Sequence, residues 1–105
     1  MCGFTGIIDF KKSISKEELI SQKNVLAHRG PDYSGLEFIN KKKYNLGFIH
    51  NRLSILDISS KANQPFVDEK SILVFNGEIY NFLELKNLFP DKTWDTNSDT
   101  EVLKY

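Results

Sequence analysis

The sequence has one cysteine, few prolines and, among its 14 basic residues, only two arginines. A lone cysteine cannot form an internal disulfide, so a reducing, cytoplasmic environment is expected. Basic and acidic residues balance at 14 each, which leaves no basic field for nucleic acid or an anionic membrane. No apolar run approaches the roughly 20 residues of a membrane span. Lys11, Lys12 and Ser13 interrupt the start too early for a signal peptide.

At 105 residues the chain is one domain at most, and its 40% hydrophobic and 27% charged residues are typical of a globular protein. Its single cysteine, Cys2, stands where removal of Met1 would make it the amino terminus. A deprotonated thiol is a strong nucleophile, and an α-amine titrates close enough to neutral pH to act as a base. One residue could then supply both groups, as Thr does with its own terminal amine. Gly3 would let a substrate approach closely. The alternative is that Cys2 is an unremarkable small residue beside the start of the chain.

The two arginines, Arg29 and Arg52, stand out in a chain whose other basic residues are all lysine. A guanidinium grips a carboxylate through two parallel hydrogen bonds, which an ammonium cannot do. Both arginines are therefore candidate site residues. The alternative is that they survive by chance in surface salt bridges.

Local patterns predict regular elements in the first half of the chain. Residues 3–10 are apolar and β-branched, which indicates a buried strand. Ser15 followed by Glu18 is a capping-box signature, and it predicts an amphipathic helix over 16–27. Two strands, 36–40 and 44–50, are expected to form a hairpin around a solvated lysine tip at 41–43. A short extended segment at 52–57 and a loop to residue 65 should follow.

The second half is predicted to contain a central strand over 71–76 and a helix over 82–89 that begins near Asn81. A short strand is expected at 93–95. Ser98 and Glu101 form another capping signature, which predicts a helix over 99–105. Because the chain stops inside that predicted helix, we expect it to be a fragment of a longer domain.

A turn-rich loop at 28–35 concentrates polar side chains and leaves two interpretations open. It is either a tight loop held by its own hydrogen bonds, with Asp32 accepting from backbone N–H groups, or part of a site. A metal site built from His28, Asp32, His50 and Cys2 is disfavoured, because neither histidine has a recognised ligand spacing.

Asn76-Gly77 ends the predicted strand at 71–76, and it is typical of a hairpin turn. No clear strand follows it, however. An amide side chain and a backbone N–H at a strand end are also the two donors of an oxyanion hole. Asp99 is similarly ambiguous, since an acidic residue in the first turn of a helix can simply complement the helix dipole.

Five short motifs, in order along the chain, resemble the N-terminal glutaminase domain of asparagine synthetase. That domain belongs to the class II glutamine amidotransferases, within the N-terminal-nucleophile hydrolases. The motifs are MCGFTGI at the start, AHRGPDYSG at 27–35, NRLSILD at 51–57, FNGEIYN at 75–81 and SDTE at 98–101. The resemblance makes residues 1–105 the N-terminal part of such a domain, without the synthetase domain that follows in the family.

The resemblance implies a role for each matching residue. Cys2 would be the nucleophile, with its freed α-amine as the base, and Asn76 with the Gly77 N–H would form the oxyanion hole. Arg52 would bind the α-carboxylate of glutamine and Asp99 its α-ammonium, while Arg29 has a supporting role. The remaining glutamine-binding positions implied are Leu53, Ser54, Ile55, Leu56 and Glu78. Asn51 departs from the residue usual in the family, a change expected to be harmless.

The implied fold is α+β, a four-layer α/β/β/α sandwich of the N-terminal-nucleophile hydrolase type, incomplete in this chain. The implied activity is hydrolysis of glutamine through a Cys2 thioester, which supplies ammonia to an ATP-dependent, asparagine-synthetase-type amidation. No cofactor or metal is expected here; ATP and Mg would belong to the synthetase domain. A homodimer is left open. The alternatives are a non-catalytic glutamine-pocket or interaction module, or an amidotransferase that acts on a sugar or natural-product acceptor.

Overall fold

The computed structural model describes residues 1–105, and its main element is a three-stranded antiparallel sheet. The strands are β1 (Gly3–Asp9), β2 (Tyr33–Asn40) and β3 (Asn45–Arg52), in the spatial order β1-β3-β2. The central strand β3 is the most buried, since it is paired on both edges. Pairing of Gly3 with Asn51 brings the start of the chain beside the end of β3. That register places Cys2 next to the residues that follow Arg52.

The predicted hairpin is confirmed, because β2 and β3 pair in register from Tyr33 opposite Arg52 to Asn40 opposite Asn45. Its lysine tip is exposed, and the Lys41 N–H donates to the Tyr44 carbonyl at 2.9 Å. The predicted first strand is confirmed as β1, but the expectation that it is buried is wrong: β1 is an edge strand, and Phe4 and Ile8 are exposed.

Helix α1 (Lys16–Val25) packs on the sheet through Leu19, which is fully buried. The predicted capping box is confirmed: the Glu18 N–H donates to Ser15 Oγ at 3.1 Å, and the Ser15 N–H donates to the Glu18 carboxylate at 2.6 Å. Gly47 on β3 makes room for the helix, because a Cβ there would lie 2.6 Å from a Leu19 methyl group.

The predicted central strand over 71–76 is wrong. Only Ile72–Leu73 (β5) is a strand, and it pairs with Phe66–Val67 (β4) in a separate two-stranded sheet. The chain leaves the ladder after Leu73 because both backbone groups of Phe75 bond to side chains instead. The expected loop to residue 65 also contains a short 3₁₀ helix, Ser60–Ala62.

Two short helices complete the chain, α2 (Phe82–Asn87) and α3 (Thr100–Lys104), and both were predicted. The predicted strand at 93–95 is wrong, and so is the capping box at the start of α3. One interaction explains both errors. The Glu101 carboxylate accepts from the N–H groups of Asp95 and Thr96, at 3.0 and 2.9 Å, rather than from the backbone of Ser98.

The buried residues are mainly polar. Four hydrophobic side chains are buried, against eleven polar or charged ones, including Arg52, Asp57, Gln64 and Asp99. Buried polar groups are costly unless hydrogen-bonded, so this concentration directs attention to the region that they surround. None of the helices combines the length and apolar character needed to cross a membrane. The chain is thus an α+β fold with antiparallel sheets.

Candidate active site

Cys2 lies directly before β1 and contacts the residue that follows β3. Its Sγ accepts the Leu53 N–H at 3.3 Å and lies 3.6 Å from the Leu53 carbonyl oxygen. The side chain is half-buried, and the thiol is free. The antiparallel register of β1 and β3 therefore fixes the sulfur beside the backbone of the motif at 51–57.

Arg52 ends β3 with its side chain only 6% exposed. Its Nη1 donates to the Ser59 carbonyl and to Asn63 Oδ1, each at 2.9 Å. No other residue of the chain accepts from Nε or Nη2. One side of the guanidinium is thus anchored, and its remaining donors are free for a ligand.

The loop at 28–32, before β2, makes hydrogen bonds to Cys2 and to the segment that follows Arg52. Arg29 Nε donates to the Cys2 carbonyl at 3.4 Å, and the Asp32 carboxylate accepts the Ser54 N–H at 2.7 Å. Gly30 is packed on the end of β3, where a Cβ would overlap the Asn51 carbonyl group. Asp32 thus bonds a backbone N–H, as the tight-loop interpretation expects, but the N–H belongs to the predicted site segment.

Asn76 and Gly77 follow β5 on an exposed segment that leads to α2. The predicted hairpin turn does not form there, since the β4–β5 connection is at 68–71. Neither the Asn76 amide nor the Gly77 N–H has a hydrogen-bond partner within the chain. A Cβ at residue 77 would lie 2.6 Å from the Phe75 ring. Two free donors therefore stand side by side.

Asp99 is a buried carboxylate, 5% exposed, just before α3. Oδ2 accepts the Ile79 N–H at 2.8 Å, while Oδ1 lies 3.5 Å from Ser98 Oγ and 3.3 Å from Thr100 Oγ1. All of these donors are neutral. A cationic ligand could therefore still gain from this carboxylate.

One cavity of about 590 Å³ joins these groups. Of the site residues predicted from the sequence, it is lined by Cys2, Arg52, Leu53, Ile55, Leu56, Asn76, Gly77, Glu78 and Asp99. Ser54 and Arg29 do not line it; Ser54 lies in the chain between the lining residues Leu53 and Ile55, and Arg29 donates to the Cys2 carbonyl. Met1 lines the cavity as well, so its removal would enlarge the space beside Cys2. A thiol, a cation, a carboxylate and two free donors thus share one cavity.

Sequence patterns do not assign two buried polar residues, Gln64 and His50, to the candidate site. Gln64 lines the cavity and donates to Thr100 Oγ1 at 3.4 Å. His50 is fully buried, and its Nε2 lies 3.1 Å from the Phe75 carbonyl. The sequence signal was limited to spacing: His50 stands two residues before Arg52, which places both on the same face of a strand but does not indicate the contact with Phe75.

Burial and hydrogen bonding set the ionisation of the groups around the cavity. Burial lowers the pKa of His50, and the Arg52 charge lowers it further, against the hydrogen bond to Phe75. Hydrogen bonds from Ser59 and from the Asn97 N–H hold the pKa of Asp57 below its ordinary value. His50 is thus neutral at pH 7, and its Nε2–H donates to the Phe75 carbonyl, since a carbonyl oxygen only accepts.

No group of three or more His, Cys, Asp or Glu side chains is arranged to hold a metal ion. A second cavity, of about 750 Å³, lies beside α2 and the segment 94–97. Its lining includes Lys86, Lys92 and Trp94 but none of the groups Cys2, Arg52 and Asp99. The chemistry predicted from the sequence is therefore confined to the first cavity.

Together, the fold and the cavity define an α+β domain in which the chain's only thiol faces a pocket lined by both a cation and a carboxylate. A family model described as a glutamine amidotransferase domain matches residues 1–104. The chain belongs to the glutamine amidotransferase domain family.

Curated relatives agree with this assignment. A putative asparagine synthetase (glutamine-hydrolyzing) 2 of Methanocaldococcus jannaschii is 44% identical over 98% of this chain. Asparagine synthetase (glutamine-hydrolyzing) 1 of Bacillus subtilis is 41% identical over 98%, and amidase chry2 of Gibberella zeae is 41% identical over 83%. The chain spans only 23%, 17% and 13% of the lengths of these relatives. No solved structure matches it.

Proposed function

We propose that this chain hydrolyses glutamine to glutamate and ammonia at Cys2, after Met1 has been removed. The observation that carries the proposal is the single cavity that brings Cys2, Arg52, Asn76 and Asp99 together. Free glutamine has a carboxylate, an ammonium and a reactive amide. The cavity offers a complementary group to each.

In this proposal, Arg52 and Asp99 recognise the α-carboxylate and the α-ammonium of glutamine. The unpartnered donors of Arg52 would bind the α-carboxylate, while Ser59 and Asn63 hold the guanidinium in place. Asp99 would accept from the α-ammonium, with Glu78 nearby on the cavity wall. Leu53, Ile55 and Leu56 supply the adjoining wall, and Asp32 fixes that segment through the Ser54 N–H.

The proposed chemistry is acyl transfer in two halves. The Cys2 thiolate forms a bond to the amide carbon, and the carbonyl oxygen becomes an oxyanion held by Asn76 and the Gly77 N–H. The C–N bond then breaks, and the Cys2 α-ammonium gives the leaving nitrogen its proton, so that ammonia departs and a thioester remains. Water attacks the thioester, releasing glutamate and regenerating the thiol.

The names of the relatives suggest which reaction uses the ammonia. The relatives named asparagine synthetase (glutamine-hydrolyzing) suggest that the ammonia is used to make asparagine. In this proposal it would be transferred to an ATP-activated carboxylate in a synthetase domain, where ATP and Mg would bind. The complete domain would be a four-layer α/β/β/α sandwich, in the cytoplasm. A second candidate is an amidotransferase with a natural-product or sugar acceptor; the similarity to an amidase of Gibberella zeae, which is not named an asparagine synthetase, is compatible with an acceptor other than aspartate. A non-catalytic pocket is the other alternative, and the presence of Met1 in the cavity lining is compatible with it.

The test is ammonia and glutamate release from glutamine by the purified protein. Because one lost oxyanion donor typically costs about 10²–10³ in rate, Asn76→Ala should reduce kcat by that factor. Asn24→Ala is the matched control, since Asn24 is exposed on α1 and its side chain makes no hydrogen bond. Release of one glutamate per ammonia is expected, and Cys2→Ala should abolish it. Equal turnover by Cys2→Ala and the wild type would contradict the proposal.

A further inference from the structure

We propose that His50 and Gln64 are positioning residues that clamp Phe75 and thereby aim Asn76 and Gly77 into the cavity. The inference rests on the proposed function, because it assigns these two buried side chains to the oxyanion hole. Neither is expected to touch glutamine's reacting atoms.

The clamp consists of two hydrogen bonds to one residue. Gln64 Oε1 accepts the Phe75 N–H at 2.6 Å, and His50 Nε2 donates to the Phe75 carbonyl at 3.1 Å. The carbonyl belongs to the peptide group that also carries the Asn76 N–H. The orientation of that peptide group therefore sets the position and direction of the Asn76 backbone.

Nothing else in the chain holds this segment by hydrogen bonds. From Val74 to Glu78, no backbone group bonds to another backbone group, and no side chain of the segment makes a hydrogen bond. The next anchor along the chain is the Ile79 N–H on Asp99. The two bonds at Phe75 therefore determine how the free donors of Asn76 and Gly77 are presented.

Burial supports a role in geometry over one in stability. His50 is 0% exposed and its Nδ1 has no partner, while Gln64 is 6% exposed. Leaving a buried polar atom without a partner is unfavourable, and an apolar side chain of similar size would avoid that cost. What an apolar side chain could not supply is the bond to Phe75.

The clamp also connects the oxyanion donors to the residues proposed to bind glutamine's charged ends. His50 lies on β3 two residues before Arg52, and Gln64 Nε2 donates to Thr100, the neighbour of Asp99. The residues proposed to hold glutamine, Arg52 and Asp99, and the clamp that positions the oxyanion donors would thus be fixed relative to one another. Such shared alignment matters, because misplacement of reacting groups by about 1 Å can cost roughly 100-fold in rate.

The experiment compares kcat and KM for glutamine hydrolysis in variants of the full chain. His50→Leu and Gln64→Met remove the clamp, whereas His50→Gln keeps an N–H donor. Because alignment rather than binding is lost, kcat should fall about 10-fold or more while KM changes less than about twofold. His50→Gln should recover most of the loss. The matched controls are His28→Leu and Gln22→Met, at residues whose side chains make no hydrogen bond.

A double-mutant cycle separates positioning from general damage to the fold. His50→Leu should cost about 10-fold in the wild-type background and a clearly smaller factor when Asn76 is already Ala, since only the Gly77 N–H is then left to align. Urea unfolding identifies any variant that fails to fold. If His50→Leu does not fold, kcat and KM of Gln64→Met test the inference instead. Equal losses in both backgrounds, or unchanged kcat in folded variants, would overturn the inference alone. A wild-type protein that releases no ammonia would overturn the proposed function and this inference with it.

Discussion

Replacing Arg52 by lysine tests the proposed carboxylate site while preserving its charge. In the structure, Nη1 already donates to the Ser59 carbonyl and to Asn63 Oδ1, each at 2.9 Å. Only the remaining donors of the guanidinium can bind a ligand. A lysine ammonium has three N–H groups, and two are needed for those same anchors, so one at most is left for the carboxylate.

The expected effect follows from losing one charge-assisted hydrogen bond. Such a bond contributes about 1.5–3 kcal/mol, and each 1.4 kcal/mol is about tenfold in affinity, so KM for glutamine should rise roughly 10- to 100-fold. The change in kcat should be much smaller, because the contact is made equally in the ground state and the transition state.

Steady-state assays of ammonia release over a wide glutamine range would measure both constants. Arg29→Lys is the matched change at the other arginine, and it should shift KM by less than about twofold, because Arg29 does not line the cavity. A KM for Arg52→Lys within twofold of wild type, with kcat reduced instead, would refute the assignment of Arg52 as the carboxylate ligand.

Three further predictions concern the framework of the site. Gly30→Ala should lower the free energy of unfolding by about 1–3 kcal/mol or more, because its Cβ would overlap the Asn51 backbone; an unchanged urea midpoint would contradict this packing. Glu101→Gln should cost about 1–3 kcal/mol, since a carboxylate that accepts from Asp95 and Thr96 is replaced by an amide that also presents donors; a loss below about 0.5 kcal/mol in urea unfolding would argue against it. The pKa of His50 is lowered in the folded state, so below its ordinary value of 6.5 the unfolded chain binds a proton that the folded chain resists. Stability should therefore fall as pH decreases from 7 towards the folded pKa, by up to about 1.4 kcal/mol per pH unit. His50→Gln should remove this slope and His28→Gln should keep it; an identical slope in His50→Gln would show that another group is responsible.

Local signals in the sequence were sufficient for the main sheet and for most of the cavity lining. The strand pattern at 3–10, the capping box at Ser15 and the lysine-tipped hairpin depend on contacts close in the chain, and all three are present. The family motifs then located most of the cavity residues, because four of the five, at the start of β1, the end of β3, after β5 and at the start of α3, contribute lining residues.

The errors arose where a distant side chain replaced the local partner. Residues 71–76 have the composition of a central strand, but Gln64 and His50 take the backbone groups of Phe75. Glu101 has the spacing of a capping box, but its carboxylate binds the loop at 95–96 instead. Single-sequence patterns do not contain these tertiary contacts, so neither the shortened strand nor the buried clamp could be predicted from them.

Intact-mass analysis after treatment with 6-diazo-5-oxo-norleucine, a glutamine analogue that alkylates such thiols, tests the central claim most directly. The account predicts a protein that lacks Met1 and carries one adduct, mapped to Cys2, with labelling slowed by excess glutamine and absent in Cys2→Ala. Retention of Met1, or labelling at Cys2 that glutamine does not slow, would contradict it.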